Sequence, residues 1–239
     1  MSIADNIARV EEHMALACRR AGRDRASVQL MAVTKTHPPE LIVEAFACGI
    51  RMFGENRVQE FAEKRPALLA EGLFEGSKPA RLHCIGPLQS NKAARAARIF
   101  DSVDTVDSVH LAERLDQAAR TAGKRLPVLI GIKLSKEPSK HGVTPGTPEM
   151  PQLLERMHEL GHLEVRGIMT VPPFSEDLEV TRPYFRELCV LRDSLAQRYP
   201  ALNFDELSMG MSHDFEVAIE EGATLVRVGT AIFGSRSAR

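Results

Sequence analysis

A short apolar run rich in strand formers recurs eight times along this 239-residue chain, with helix-length stretches between the runs and no linker or shift of composition. Parallel strands need a crossover between them, and a helix is the usual one, so this alternation predicts an α/β protein. Eight units in a chain of this size predict a single TIM-type (β/α)8 barrel, with residues 1–239 forming one domain. Ahead of the first strand, Ile3, Ile7, Val10, Met14 and Ala17 follow the helical period and Gly22 supplies a stop, which adds an extra N-terminal helix. The alternative, a doubly wound open sheet, ordinarily carries GxGxxG after its first strand, and that motif is absent.

The expected strands lie at 30–33, 51–53, 81–85, 102–106, 128–132, 163–169, 203–207 and 224–228. Helices are expected over 39–48, 57–70, 91–98, 109–122, 149–160, 178–198 and 214–221, with Gly49, Gly123 and Gly161 as stops. A net charge of −1 gives no electrostatic reason to expect a nucleic acid or an anionic membrane as partner. Cys18, Cys48, Cys84 and Cys189 are scattered, without metal-like spacing, and read as reduced cysteines of a cytoplasmic protein. No apolar run approaches the roughly 18 residues of a membrane span, and the charged N-terminus does not read as a leader.

In a barrel of this kind, sites are built at the C-terminal ends of the strands, where Lys35, Asn56, His83, Lys133, Met169, Ser208 and Arg227 are expected. Lys35 leaves the first strand on the face of Met31 and Val33, so its stem crosses apolar neighbours and its amine emerges at the rim. A partly desolvated amine there can attack a carbonyl, although a lysine snorkelling to solvent looks the same in sequence. The last two loops, Ser208-Met209-Gly210-Met211-Ser212 and Gly229-Thr230-Ala231, combine glycine with hydroxyl donors where such barrels bind phosphate. Read blandly, Ser212 caps a helix and Gly229 makes a turn. Arg227 alternates with Leu225 and points inward beside those loops, where burial demands a partner. An amine and a phosphate cradle at one barrel mouth call for a ligand with an aldehyde and a phosphate, and pyridoxal 5′-phosphate fits.

AVTKTHP at 32–38, FGENRVQE at 53–60, HCIGPLQSNK at 83–92, SKHG at 139–142, RGIMTVPP at 166–173, LSMGMSHDFEVAI at 207–219 and TLVRVGTAIFG at 224–234 follow one another in order. On these seven motifs the chain resembles, over nearly its whole length, the pyridoxal phosphate homeostasis proteins, relatives of the alanine racemase barrel domain. The resemblance implies that Lys35 holds the cofactor as a Schiff base and that Asn56 lies beside the ring, with His83 near the same pocket. It further implies that Ser208, Gly229 and Thr230 grip the phosphate, that Met209 and Gly210 line the approach, and that Arg227 faces the pyridine nitrogen. The sequence departs from the family's commoner pattern at Leu82 and Cys84, where aromatic residues usually flank the histidine.

The implied role is a carrier that buffers the cofactor and hands it to apo-enzymes, with no catalytic residue, no metal and a monomeric barrel. The alternative is an amino-acid racemase, which needs acid/base groups on both faces of the substrate α-carbon. In alanine racemases the second group is a tyrosine from a β-rich domain. Here the chain runs to Arg239 just past the last strand, and its two tyrosines, Tyr184 and Tyr199, fall in or at the end of one long helix. A class I aldolase also uses a barrel lysine, but no motif speaks for sugar phosphates.

Overall fold

The computed structural model of the chain describes residues 2–137 and 140–234, so Ser139 of the SKHG motif lies outside the described residues. Eight parallel strands close in sequence order: β1 (Gln29–Val33), β2 (Met52–Glu55), β3 (Arg81–Cys84), β4 (Ser102–Val106), β5 (Leu126–Ile132), β6 (Leu163–Thr170), β7 (Glu206–Met211) and β8 (Leu225–Val228). The expected (β/α)8 barrel with its extra N-terminal helix is what the chain forms.

Helix α1 (Ile3–Arg20) precedes the barrel, and α2 (Pro39–Ala47), α3 (Val58–Ala70), α4 (Ala93–Ile99), α5 (Val109–Thr121), α6 (Glu149–Glu159), α7 (Leu178–Arg198), α8 (Phe215–Glu220) and α9 (Thr230–Phe233) follow the strands in turn. Helix α1 starts at a reciprocal cap, in which the Ser2 hydroxyl accepts from the Asp5 amide and the Asp5 carboxylate accepts from the Ser2 amide. Its apolar stripe, Ile3, Ile7, Val10 and Met14, is buried, and its Arg20 pairs with Glu216 and Glu220 of α8. The N-terminal helix is thereby tied to the end of the chain. Among the described residues no helix is long and apolar enough to cross a membrane.

Strand side chains alternate between two buried regions. Ala32, Phe53, Leu82, Cys84, Ile130 and Val226 join the helices in one continuous core. Met31, Val33, Leu129, Met169 and Leu225 are as buried but separate from that core, on the barrel interior. Gly54 belongs to this inner set: a Cβ there would stand 2.7 Å from the Met31 sulfur and 2.8 Å from Ile85, which fill the space a side chain would take.

Strand β7 corrects the sequence reading. It was expected to end at 207 and to empty into a Ser-Met-Gly-Met loop, but it runs on to Met211. Ser208 pairs with Leu225 and Met211 with Arg227, so β7 carries one more residue than β8 across this interval, which is a bulge. Gly210 sits there with φ +89°, and a Cβ would come within 2.6 Å of Ala218 and 2.9 Å of Phe215. Glycine at this position lets α8 close against the strand.

Candidate functional site

At the C-terminal ends of the strands the barrel opens into a cavity of about 580 Å³ to which every strand or the loop after it contributes. Its wall runs from Val33 and Lys35 through Asn56, Ile85 and Gly86, then Thr105 and Asp107, to Ile132 and Lys133. Met169, Met211, Ser212, Arg227, Gly229 and Thr230 complete it. Of the nine residues that the family resemblance assigns to the site, the structure brings five together here, Lys35, Asn56, Arg227, Gly229 and Thr230, along with Lys133 and Met169 from the strand exits.

Lys35 is half-buried, two residues beyond β1 in the turn that follows the strand. Asn56 follows β2 directly, and its backbone lies against Gly86, where a Cβ would stand 2.3 Å from the Asn56 carbonyl oxygen. Arg227 points inward from β8, 3% exposed, donating from Nη1 to the Ser208 hydroxyl at 2.5 Å and from Nη2 to the Thr170 carbonyl at 2.8 Å. Burial pushes its pKa down to about 10, against the fields of Asp104 and Asp214. Arg227 therefore stays a cation at neutral pH, a donor to whatever enters from the mouth.

Two backbone amides converge beside it. The Ser212 hydroxyl oxygen accepts from the Gly229 amide at 3.0 Å and from the Ala231 amide at 3.3 Å. The Asp214 carboxylate accepts from the Met211 amide at 2.7 Å, holding the bend that carries Ser212. Because β8 pairs with β1, this cradle lies beside the Lys35 strand and not across the mouth from it.

The other four residues lie elsewhere, each for a stated reason. Ser208 faces inward but is covered, acting on Arg227 from behind. Met209, on the opposite side of the strand, packs into the outer core, and Gly210 forms the bulge against α8. His83 was expected near the mouth, but it lines a second cavity of about 500 Å³ with Arg81, Ser102, Lys124, Arg166 and Glu206. Those residues include the N-terminal ends of β3, β4 and β7, so His83 lies at the opposite end of the barrel. Alternation is correct for its face. The inward residue of that stretch that reaches the mouth is Ile85, two positions on.

At that lower end, His83 Nδ1 lies 2.9 Å from Asp104, which also accepts from the Ser102 hydroxyl at 2.5 Å. Burial opposes a charge on His83, but Asp104, with help from Glu206 and Asp101, prevails and holds its pKa above the ordinary 6.5. A group whose folded pKa is raised contributes stability that is complete below its unfolded pKa and is lost as pH rises through the folded one. The melting-temperature advantage of the natural protein over His83→Gln should therefore shrink as pH rises above the ordinary histidine value of 6.5. A gap that widens as pH rises would show that His83 is held neutral in the fold, and a gap that does not change with pH would show that its pKa is not shifted by folding.

Several cavity residues carried no sequence signal of their own. Ile85, Thr105 and Asp107 could have been flagged only by standing at strand exits. Burial raises the Asp107 pKa, while His141 opposes that shift from the loop after β5. Lys140 of that loop donates to the Pro172 carbonyl at 3.3 Å and lines the cavity with His141. Cys84 is fully buried, its thiol pushed up to about 12, as befits a core cysteine. Among the described residues no group of three metal-ligating side chains is found.

The sequence profile of the family described as "Alanine racemase, N-terminal domain" matches residues 3–237. A pyridoxal phosphate homeostasis protein of Aquifex aeolicus is 42% identical, the match covering 99% of each chain. The solved structure of PipY of Synechococcus elongatus, with PLP bound, superposes with a TM-score of 0.84 at 37% identity, covering 98% of this chain and 100% of that one. An alanine racemase of Clostridium difficile shares the fold, at TM-score 0.67 and 13% identity, over 60% of its length.

Proposed function

We infer the function from the family to which this chain belongs, the pyridoxal phosphate homeostasis proteins within the alanine racemase N-terminal domain family: the chain binds pyridoxal 5′-phosphate and takes part in its homeostasis by holding it. The observation that carries the reading is one cavity lined by the Lys35 amine, the cationic Arg227 and two amides converging on the Ser212 hydroxyl. At about 580 Å³ the cavity falls within the ordinary range for small-molecule sites.

When bound, pyridoxal phosphate supplies an aldehyde carbon that condenses with a primary amine, losing water to leave a carbon–nitrogen double bond. Lys35 offers that amine. The Ser212 and Thr230 hydroxyls would offer donors to a phosphate, which would also take over the Gly229 and Ala231 amides that donate here to the Ser212 oxygen. Asn56 would border the ring, and Arg227 would donate to the pyridine nitrogen. An arginine gives up no proton there, which leaves the ring a weaker electron sink than an acid partner would. Holding is favoured over carbanion chemistry. The tyrosines also stand away from the mouth, Tyr184 within α7 and Tyr199 at its C-terminal cap.

On this reading residues 1–239 act as one domain, monomeric and cytoplasmic, and PLP-dependent apo-enzymes receive the cofactor. Purified protein mixed with pyridoxal phosphate should develop a yellow absorption band, and borohydride reduction followed by peptide mapping should place the adduct on Lys35. An adduct on a different lysine would overturn the assignment of the anchor. The loaded protein should interconvert L- and D-alanine far more slowly than the ~1 per second at the low end of ordinary enzymes. Turnover at or above that rate would make it a racemase.

A further inference from the structure

Thr36, next to Lys35, has φ +66°, and among the described residues it is the one non-glycine residue in the left-handed region. For a β-branched residue that conformation is an outlier that persists only where the surroundings impose it. What imposes it is visible. The Thr36 amide donates to Glu60 Oε1 at 2.6 Å, and the same oxygen accepts from Lys64 Nζ at 2.7 Å, one helical turn further along α3.

Lys64 uses its other two donors on the residue that leads into the turn and on Glu55 at the end of β2. One goes to the Thr34 carbonyl at 3.0 Å and one to Glu55 Oε1 at 3.1 Å, and Glu55 also accepts from the Thr34 hydroxyl at 2.8 Å. Three side chains thus grip the residues immediately before and after Lys35. None of the three lines the cavity. The Glu55–Lys64 pair is shielded from water, with Glu55 fully buried and the Lys64 side chain 10% exposed, while the bond from Glu60 to the Thr36 amide lies at the surface.

We propose that Glu60 and Lys64, backed by Glu55, are positioning residues that hold the 34–36 turn in its strained form and so aim the Lys35 amine at the cofactor's aldehyde. The proposal rests on Lys35 being the anchor. The turn is closed by the His37 amide, which donates to the Thr34 carbonyl at 3.1 Å, the same carbonyl that Lys64 holds, so the side chains grip both ends of the turn around the amine. A misplacement of about 1 Å between reacting atoms is enough to cost up to about a hundredfold in rate.

The test mixes the full chain with pyridoxal phosphate and records the rate at which the absorption band appears, the borohydride-fixed label on Lys35, and the thermal melt. Glu60→Ala should slow the band by about tenfold or more while the melt stays cooperative. Glu60→Gln still offers an oxygen to the Thr36 amide and should keep most of the rate. Lys64→Met, which keeps the stem and loses the donors, should be slow. Thr36→Gly added to Glu60→Ala should recover much of the loss, because glycine takes this conformation without steric cost. If Glu60→Ala does not fold, the contrast between Glu60→Gln and Lys64→Met decides. Label on Lys35 in the natural protein with unchanged rates in Glu60→Ala and Lys64→Met would overturn the positioning role and leave the anchor standing. Label on another lysine in the natural protein would overturn both.

Discussion

Lys35→Ala should abolish covalent attachment of pyridoxal phosphate outright, with no yellow band and no borohydride-fixed label, while the barrel melts cooperatively near the natural temperature. The loss is complete because Arg227 cannot serve as a neutral nucleophile, and the cavity's other amines, Lys133 and Lys140, belong to the loop after β5, four strands round the closed barrel from β1. The fold survives because Lys35 lies beyond the last residue of β1, half-buried at the rim, so its removal opens no core cavity. Substitutions of that kind stay within about 1 kcal/mol. The phosphate donors remain in place, so weak reversible binding should persist in equilibrium dialysis. A variant that failed to fold would show that the turn, and not the amine, is what Lys35 serves.

Gly167→Ala should be the most damaging small substitution to stability. Gly167 pairs with Glu206 across β6 and β7, and a Cβ there would stand 1.8 Å from the Glu206 carbonyl oxygen and 2.6 Å from its carbonyl carbon. Both are backbone atoms of a closed barrel, so no side chain can swing aside and the strands must part. Overpacking typically costs about 1–3 kcal/mol, and a backbone-on-backbone clash belongs at or above the top of that range. At about 2–4 °C per kcal/mol for a chain of this size, the melting temperature should fall by about 10 °C. The same strands carry Thr170 and Ser208, which hold Arg227, so affinity for the cofactor should fall with stability. Gly161→Ala is the control: its Cβ would meet nothing within 4 Å, and its melt should be unchanged. A Gly167→Ala variant as stable as Gly161→Ala would mean that β6 and β7 are further apart than their pairing requires.

Much of the cavity's lining was legible in the sequence. Period-two alternation placed Lys35 with Val33 and put Arg227 on the inner face, and both hold in three dimensions. The same rule misjudged His83, because it reports which face a side chain takes but not how far along the barrel axis it stands. Ser208 is likewise too deep, because β7 runs on past the expected end at 207 to Met211 and so puts Met211 and Ser212 at the mouth.

The sequence by itself determined the architecture, since eight apolar runs separated by helix-length segments have few ways to bury their faces other than a closed parallel barrel. It also determined which strand exits carry an amine, an arginine and a glycine–hydroxyl loop. Tertiary structure alone decided the depth of each inward residue, because the stagger of neighbouring strands is a property of the closed barrel and not of any one strand. It decided that β8 closes against β1, which brings the Gly229 cradle beside Lys35. It decided, too, that Glu60 and Lys64 reach back from α3 to grip residues more than twenty positions earlier. Hydrogen bonds of that range leave no period in the sequence, so the strained turn that carries Lys35 becomes visible only when the chain is folded.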